Sequence, residues 1–145
     1  MPETTTTTEK NLALLHTAYE ALERGDLDAC AEVLTENFIA NVPGLPDPLH
    51  GSQIWRLGAQ AMWDGFPDLR IKVEDMFGAD DKVAVRVHFR GTHRGTFQGI
   101  PATDRPVSFR SIELYRVEGD RIAEEWVAPD MISLMQQISP TPTDH

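Results

Sequence analysis

Two glutamates near the end of the chain are the residues best suited to acid/base chemistry. Residues 107–117 alternate as a strand does, and one face of that strand holds Val107, Phe109, Ser111, Glu113 and Tyr115. Glu125 lies in a second strand, 121–127, joined to the first by the turn Glu118-Gly119-Asp120. A carboxyl group that faces an apolar cavity is desolvated, and its pKa rises towards the range that a general acid or base needs.

The opposite faces of these strands leave a second interpretation open. Arg110 and Arg116 alternate with the first set of residues, so both glutamates could instead be solvated and paired with these arginines. In the second strand Ala123, Glu125 and Val127 alternate against Ile122, Glu124 and Trp126. Neither face of either strand is wholly polar, which is typical of a sheet with a cavity on one side and a second subunit on the other.

Histidine and tyrosine side chains are further candidates, each with a structural alternative. His93 follows a strand in Arg90-Gly91-Thr92-His93-Arg94-Gly95, and a lone histidine there is either structural or bound to a substrate oxygen. Tyr19 lies on the apolar stripe of the first helix, where it packs in the core or donates a hydrogen bond to an enolate. His88 is expected to be exposed or at a subunit contact, and the other histidines, His16, His50 and His145, have no convincing partner in sequence.

Aromatic side chains could wall a pocket for an apolar ligand, although such residues also form cores. The candidates are Trp55, Trp63, Trp126 and Phe66. No phosphate-binding glycine motif, serine-nucleophile elbow or His-Glu-x-x-His motif occurs in the sequence. The single cysteine, Cys30, is expected to be a small buried side chain. We therefore expect no cofactor and no metal.

The elements that position these residues change in period along the chain. Helices are predicted at 9–24, 26–34, 52–63 and 130–138, and Asp26 is the predicted cap of the second. Strands are predicted at 69–76, 82–90, 107–117 and 121–127. The segment 41–51 contains three prolines and is predicted to be a loop. Helices followed by antiparallel strands indicate an α+β fold, with the sheet curling over the helices.

Length and charge restrict the class of protein. The 145 residues fit one domain, predicted at 9–138, with flexible tails at 1–8 and 139–145. A net charge of −10 argues against nucleic acid and anionic membranes as partners, because both are polyanions. No apolar run is long enough to span a bilayer, and the N-terminus lacks signal-peptide features, so a cytoplasmic location is expected.

Several stretches resemble the SnoaL-like polyketide cyclases, also called ester cyclases. The most specific is residues 91–105, Gly-Thr-His-Arg-Gly-Thr-Phe-Gln-Gly-Ile-Pro-Ala-Thr-Asp-Arg. The resemblance continues through 111–117, 121–126, Pro129-Asp130 and 134–137, with a weaker match in the first helix. It implies an NTF2-like cone, a curved antiparallel or mixed sheet around N-terminal helices and a central pocket. It also implies a dimer through the outer sheet face.

The resemblance further implies a reaction. The founding cyclases close a ring by intramolecular aldol condensation, with an aspartate as general acid/base and no cofactor. Val127 matches that aspartate, and Glu113 matches the histidine that accompanies it, so Glu113 and Glu125 are the natural replacements. His93 and Tyr19 match family positions near the pocket. Asp130 matches a recurrent family aspartate, but its position before a helix predicts an N-cap.

We therefore expect a cofactor-independent cyclase or isomerase that acts on a small hydrophobic polyketide-like intermediate by aldol chemistry or epoxide opening. The expected catalytic residues are Glu113, Glu125 and His93. The expected substrate-binding residues are Tyr19, Phe38, Trp63, Phe89, Ser111 and Val127. The expected assembly is a homodimer. The alternative is a non-catalytic binding or accessory protein with the same fold. Two carboxylates converging in an apolar pocket would favour the enzyme.

Overall fold

The computed structural model describes residues 6–139. The elements in chain order are α1 (Thr7–Glu23), α2 (Leu27–Glu32), β1 (Leu34–Asn41), β2 (Leu49–His50), α3 (Ser52–Gly65), β3 (Arg70–Ala79), β4 (Lys82–Thr92), β5 (Pro106–Glu118), β6 (Arg121–Pro129) and α4 (Met131–Ile138). No helix within the described residues is both long and apolar enough to cross a bilayer.

The predicted N-terminal tail, 1–8, overlaps the first helix. The Thr6 side chain accepts a hydrogen bond from the Glu9 backbone N–H, and the Glu9 carboxylate accepts one from the Thr6 backbone N–H. This capping box starts α1 two residues earlier than the predicted Glu9, because it satisfies N–H groups that a helix end otherwise leaves free. The rest of both predicted tails, 1–5 and 140–145, including His145, lies outside the described residues.

One mixed sheet of six strands forms the body of the fold. The strand order is β2-β1-β6-β5-β4-β3, and every neighbouring pair is antiparallel except β1 and β6. The sheet is open, and α1 packs against β3 and β4. This confirms the predicted α+β class and the curved mixed sheet over the N-terminal helices.

Strand β1 is absent from the sequence-based prediction, which ended the second helix at Leu34. The helix ends at Glu32, and Leu34 begins the strand. Phe38 and Ala40 are buried along it, but its register shifts between Leu34 and Ile39, so no regular alternation marks it in the sequence. Its parallel partner β6 lies far along the chain, so local pattern could not indicate this pairing.

A β-bulge changes which residues of β6 face inward. Ile122 pairs with Val117 on β5, and pairing resumes at Glu124, so Ala123 is an extra residue on β6. Ile122 is therefore buried on the same side as Glu125, and its predicted grouping with the outward Glu124 is wrong.

The inner sheet face follows the predicted alternation. Val83, Val85, Val87 and Phe89 on β4 are all buried in the main core. Burial of each such side chain contributes about 1.5–3 kcal/mol relative to exposure. On β5 the buried residues alternate with exposed or half-buried ones along the whole strand, which fixes the direction of Ser111, Glu113 and Tyr115.

Candidate active site

A cavity of about 290 Å³ lies between the inner sheet face and the helices. Its wall combines residues of α1, α3, β1, β5 and β6, with Met131 of α4 beside Pro129. Most of the wall is apolar. Its ionisable groups are the two carboxyl groups of Glu113 and Glu125, the hydroxyls of Tyr19 and Tyr115, and the Cys30 thiol.

Glu113 is held by three hydroxyl groups. Tyr115 donates to Oε1 at 2.5 Å, Tyr19 donates to the same oxygen, and Ser111 donates to Oε2 at 2.9 Å. The two tyrosine hydroxyl oxygens lie 2.8 Å apart. Ser111, Glu113 and Tyr115 meet because they alternate on one face of β5, whereas Tyr19 reaches them from α1. A carboxylate can only accept hydrogen bonds, so three donors suit this group.

The two tyrosines remain protonated donors at neutral pH. Burial raises the pKa of Tyr19 and of Tyr115 well above the ordinary range, and the negative charge of Glu113 raises both further. Ionised Tyr19 or Tyr115 would place a second negative charge beside the carboxylate. Their role is therefore to donate hydrogen bonds, and they are unsuited to act as bases.

Glu125 has a different environment in the same cavity. It lies opposite Tyr115 in the β5–β6 register, and only 6% of its surface is exposed. No group in residues 6–139 makes a hydrogen bond to its carboxyl oxygens. Burial, followed by the negative charge of Glu113, raises the pKa of Glu125 to about 8. Glu125 is therefore mainly protonated at neutral pH.

The two arginines that could have paired with these glutamates bind other residues. Arg110 contacts Glu74 on β3, with Nε 2.7 Å from Oε1. Arg116 contacts Glu118 and Glu124, the latter at 3.1 Å. The interpretation of Glu113 and Glu125 as solvated, arginine-paired carboxylates is therefore wrong.

His93 is not brought together with the two glutamates. It is fully buried, but it is absent from the cavity wall, and its ring packs against Phe66. Its backbone N–H donates to the Arg105 carbonyl, and its own carbonyl accepts from Thr103 and Asp104. Its Nδ1 lies 2.9 Å from the Thr103 hydroxyl. These contacts hold the two ends of the 93–105 segment together.

The expected substrate-binding residues divide into three groups. Tyr19, Phe89 and Val127 line the cavity. Ser111 is buried and contacts the cavity only through Glu113. Phe38 is fully buried in the core and Trp63 packs near Gly25, and neither lines the cavity.

Tyr115 contributes more to the site than the sequence indicated. The sequence predicts Tyr115 on the same strand face as Glu113 but assigns it no role. Its position two residues further along the strand is the signal that could have indicated its contact with Glu113. Trp55 is the tryptophan that lines the cavity. Cys30 is buried as expected, and burial raises its pKa to about 11. Within residues 6–139 no cluster of His, Cys, Asp or Glu is arranged to hold a metal ion.

Most of the chain matches a known protein family. The family model of the SnoaL-like polyketide cyclase matches residues 13–138. The chain belongs to the SnoaL-like polyketide cyclase family. A search of curated proteins finds no significant match.

Solved structures of several bacterial proteins share the fold. A protein of Jannaschia sp. CCS1, assigned as a SnoaL-like polyketide cyclase, superposes with a TM-score of 0.87 at 20% identity, covering 98% of this chain and 100% of that chain. AclR of Streptomyces galilaeus, assigned as a hydroxylase, superposes with a TM-score of 0.84 at 22% identity, covering 96% of this chain and 87% of that chain. IdmH of Streptomyces antibioticus, assigned as a polyketide cyclase, superposes with a TM-score of 0.78 at 28% identity, covering 90% of this chain and 99% of that chain. These matches confirm the NTF2-like fold predicted from the sequence.

Proposed function

We propose that this chain is a cofactor-independent cyclase that closes or isomerises a ring in a small, hydrophobic, polyketide-like intermediate. The observation that carries the proposal is the pair of carboxyl groups in one apolar cavity. Glu113 is surrounded by hydroxyl donors, whereas Glu125 has no hydrogen-bond partner in residues 6–139 and a pKa of about 8. Glu125 is thus suited to act as the acid, and Glu113 is the second carboxyl group in reach of the same ligand.

The two groups take complementary roles in an aldol ring closure. Glu113 removes the proton from the carbon next to a carbonyl group, and the resulting enolate attacks a second carbonyl carbon of the same molecule. Glu125 gives its proton to the oxygen of that second carbonyl as the carbon–carbon bond forms. The product is an isomer of the substrate. The enzyme is restored when the proton held by Glu113 returns to Glu125.

Epoxide opening uses the same assignment. Glu125 protonates the epoxide oxygen as its carbon–oxygen bond breaks. Glu113 takes the proton from the hydroxyl group that attacks the epoxide carbon. Tyr19 and Tyr115 act as positioning residues, because their hydroxyls donate to the carboxylate that must be aimed at the substrate. His93 acts further away, by holding the 93–105 segment.

We also infer that the protein is a homodimer formed through the outer sheet face. Phe77, Ala84, Leu114 and Trp126 form one row across four strands on this face. Ile112 lies beside that row and is 56% exposed, and Phe77 is 65% exposed. A contiguous apolar patch of this kind is typical of a protein interface.

An exchange experiment tests the acid/base proposal without the natural substrate. The neutral bicyclic ketone 2-tetralone is dissolved in D₂O with the protein, and loss of the protons next to its carbonyl group is followed by NMR. We expect the wild-type protein to accelerate exchange, and Glu113→Gln and Glu125→Gln each to lower the protein-dependent rate by about 100-fold or more. Tyr19→Phe and Tyr115→Phe should each lower it by about tenfold, because one donor to Glu113 is lost.

Glu124→Gln is the matched control. Glu124 is the neighbour of Glu125 on β6, faces outward and pairs with Arg116, so its substitution should leave the exchange rate unchanged. Circular dichroism verifies that each variant is folded. If the wild-type protein binds 2-tetralone, as tryptophan fluorescence would detect, yet exchange runs at the buffer rate, the non-catalytic binding function replaces the proposal.

A further inference from the structure

No positively charged side chain of the described residues, 6–139, lines the cavity. The protein has 13 Lys and Arg residues, all within the described part of the chain, and none of them lines the cavity. None of the histidines within residues 6–139 lines it either. The ionisable groups that do line it are acids, so the charge it can acquire is negative. Charges that are shielded from water interact more strongly than charges on the surface. A negative charge in this cavity should therefore act strongly on a charged group of a bound ligand.

Glu125 lacks the partner that a buried carboxyl group normally has. Its side chain is more than nine-tenths buried and lines the cavity, yet it makes no hydrogen bond within residues 6–139. Buried polar groups in proteins are nearly always hydrogen-bonded, to protein, water or ligand. A ligand can therefore supply the partner. A hydroxyl group on the ligand would donate to the carbonyl oxygen of this carboxyl group, and an ammonium group would donate to its ionised form.

Glu113 can accept one further hydrogen bond from the same ligand group. Its Oε1 accepts from two tyrosines, whereas its Oε2 accepts from Ser111 alone. A carboxylate has about four acceptor positions, so one remains at Oε2. The aromatic rings of Trp55, Phe89 and Phe109 line the same cavity, and aromatic faces attract cations.

We propose that the cavity selects ligands whose polar group is a hydrogen-bond donor, most strongly a protonated amine, and rejects ligands that end in a carboxylate. The inference rests on the proposed function in taking this cavity as the substrate site. It adds the substrate class, an apolar ring system bearing a hydroxyl or basic nitrogen and no anionic group. A ligand carboxylate would lie beside Glu113 with no cation to compensate it, and such like-charge contacts are costly.

Amine binding has a second signature, the release of a proton. The free protein holds a proton on Glu125 at neutral pH, because its pKa is about 8. A bound ammonium group favours the ionised carboxylate, so binding near pH 7 should release about one proton. A neutral alcohol has no such effect.

Three ligands with the same apolar body test the inference: 2-naphthylmethylamine, 2-naphthylmethanol and 2-naphthoate. A bicyclic body suits a cavity of about 290 Å³. Calorimetry at pH 7 gives the dissociation constants, and buffers with different ionisation enthalpies give the protons released. We expect the amine to bind at least about 30-fold more tightly than the carboxylate, with the alcohol between them.

Two variants distinguish an effect of the cavity from an effect of the protein's overall negative charge. Glu125→Gln should shrink the difference between amine and carboxylate and abolish proton release. Glu124→Gln makes the same substitution on the outer face and should change neither. The preference should also persist at high salt, because screening weakens surface interactions far more than buried ones.

Three results would overturn the inference: equal affinity for carboxylate and amine, an amine preference that Glu125→Gln leaves intact, or no binding of any of the three ligands. The outcome is independent of turnover. If 2-tetralone exchange fails but the order of affinities holds, only the catalytic proposal is lost. If exchange succeeds and the carboxylate binds as tightly as the amine, only the ligand class is wrong.

Discussion

Glu113 and Glu125 carry the same chemical group in one cavity, but their surroundings give them different properties. Three hydroxyl donors surround Glu113, whereas Glu125 faces the cavity with no donor from residues 6–139. Burial is the main cause of the raised pKa of Glu125, and the charge on Glu113 adds to it. The two carboxyl groups therefore differ in their hydrogen-bond partners, and for Glu113 one of these partners, Tyr19, comes from α1.

The raised pKa of Glu125 predicts a pH-dependent stability. The pKa is about 8 in the folded protein and near the ordinary 4.5 in the unfolded chain, so the folded state binds this proton more tightly. The stability that this protonation contributes is fully present below about pH 4.5 and is lost as the pH rises through about 8. Relative to Glu125→Gln, the wild-type protein should lose on the order of 1 kcal/mol of unfolding free energy per pH unit across this interval.

Urea denaturation of the wild-type protein and Glu125→Gln across this pH range measures the effect. The difference between the two proteins cancels the contributions of titrating groups that do not interact with Glu125. A difference that stays constant from acid to alkaline pH would mean that Glu125 is not desolvated in the folded state.

At the scale of elements, the β5–β6 hairpin and its neighbours place the chemistry. Alternation on β5 brings Ser111, Glu113 and Tyr115 to one face, and the inward turn of Glu125 on β6 brings the second carboxyl group beside them. The following helix, α4, begins directly after β6 at Asp130. Asp130 is exposed, and its Oδ1 accepts a hydrogen bond from the Ser133 backbone N–H at 3.1 Å. This contact agrees with the N-cap role predicted from the sequence.

The cap predicts a stability effect without an effect on catalysis. Asp130→Ala should lower the unfolding free energy by about 1 kcal/mol, because the first turn of α4 loses its acceptor. Asp130→Asn keeps an acceptor and should retain most of the stability. Denaturation and the 2-tetralone exchange rate are measured for both variants. A large loss of exchange in Asp130→Asn with unchanged stability would assign Asp130 to the reaction.

At the scale of the whole molecule, the two sides of the sheet differ in character. The inner side faces the helices and the acidic cavity. The outer side carries the apolar row that begins at Phe77 and ends at Trp126, with Ile112 beside it. Ionic pairs such as Arg110–Glu74 and Arg116–Glu124 flank that row on the same face. A polar rim around an apolar centre is the usual anatomy of a protein interface.

The homodimer proposal predicts a change of mass on substitution of Ile112. Light scattering coupled to size-exclusion chromatography should give the wild-type protein about twice the chain mass of 16.2 kDa. Ile112→Glu should shift it to the monomer, because a desolvated charge at the centre of an interface is costly. Leu57 on α3 is also an exposed apolar residue, and Leu57→Glu should leave the dimer intact. A monomeric wild-type protein would exclude the proposal.

The sequence by itself determined what depends on local period. Alternation on β4 predicted its buried face, and alternation on β5 grouped Glu113 with Ser111 and Tyr115 without deciding which way they point. The residues 91–105 with the segments after them indicated the SnoaL-like family. Asp130 was predicted as a cap because capping is a contact between residues three apart. These features need only the neighbouring residues to specify them.

Only the tertiary structure decided which side chains meet. Strand β1 pairs with a distant parallel partner, and the bulge at Ala123 changes the face of Ile122, so neither follows from local alternation. The hydrogen bond from Tyr19 to Glu113 joins residues of opposite ends of the chain. His93 carries a residue type suited to catalysis but is buried against Phe66, away from the cavity wall. Contacts between distant segments are set by packing of the whole core, which no short stretch of sequence encodes.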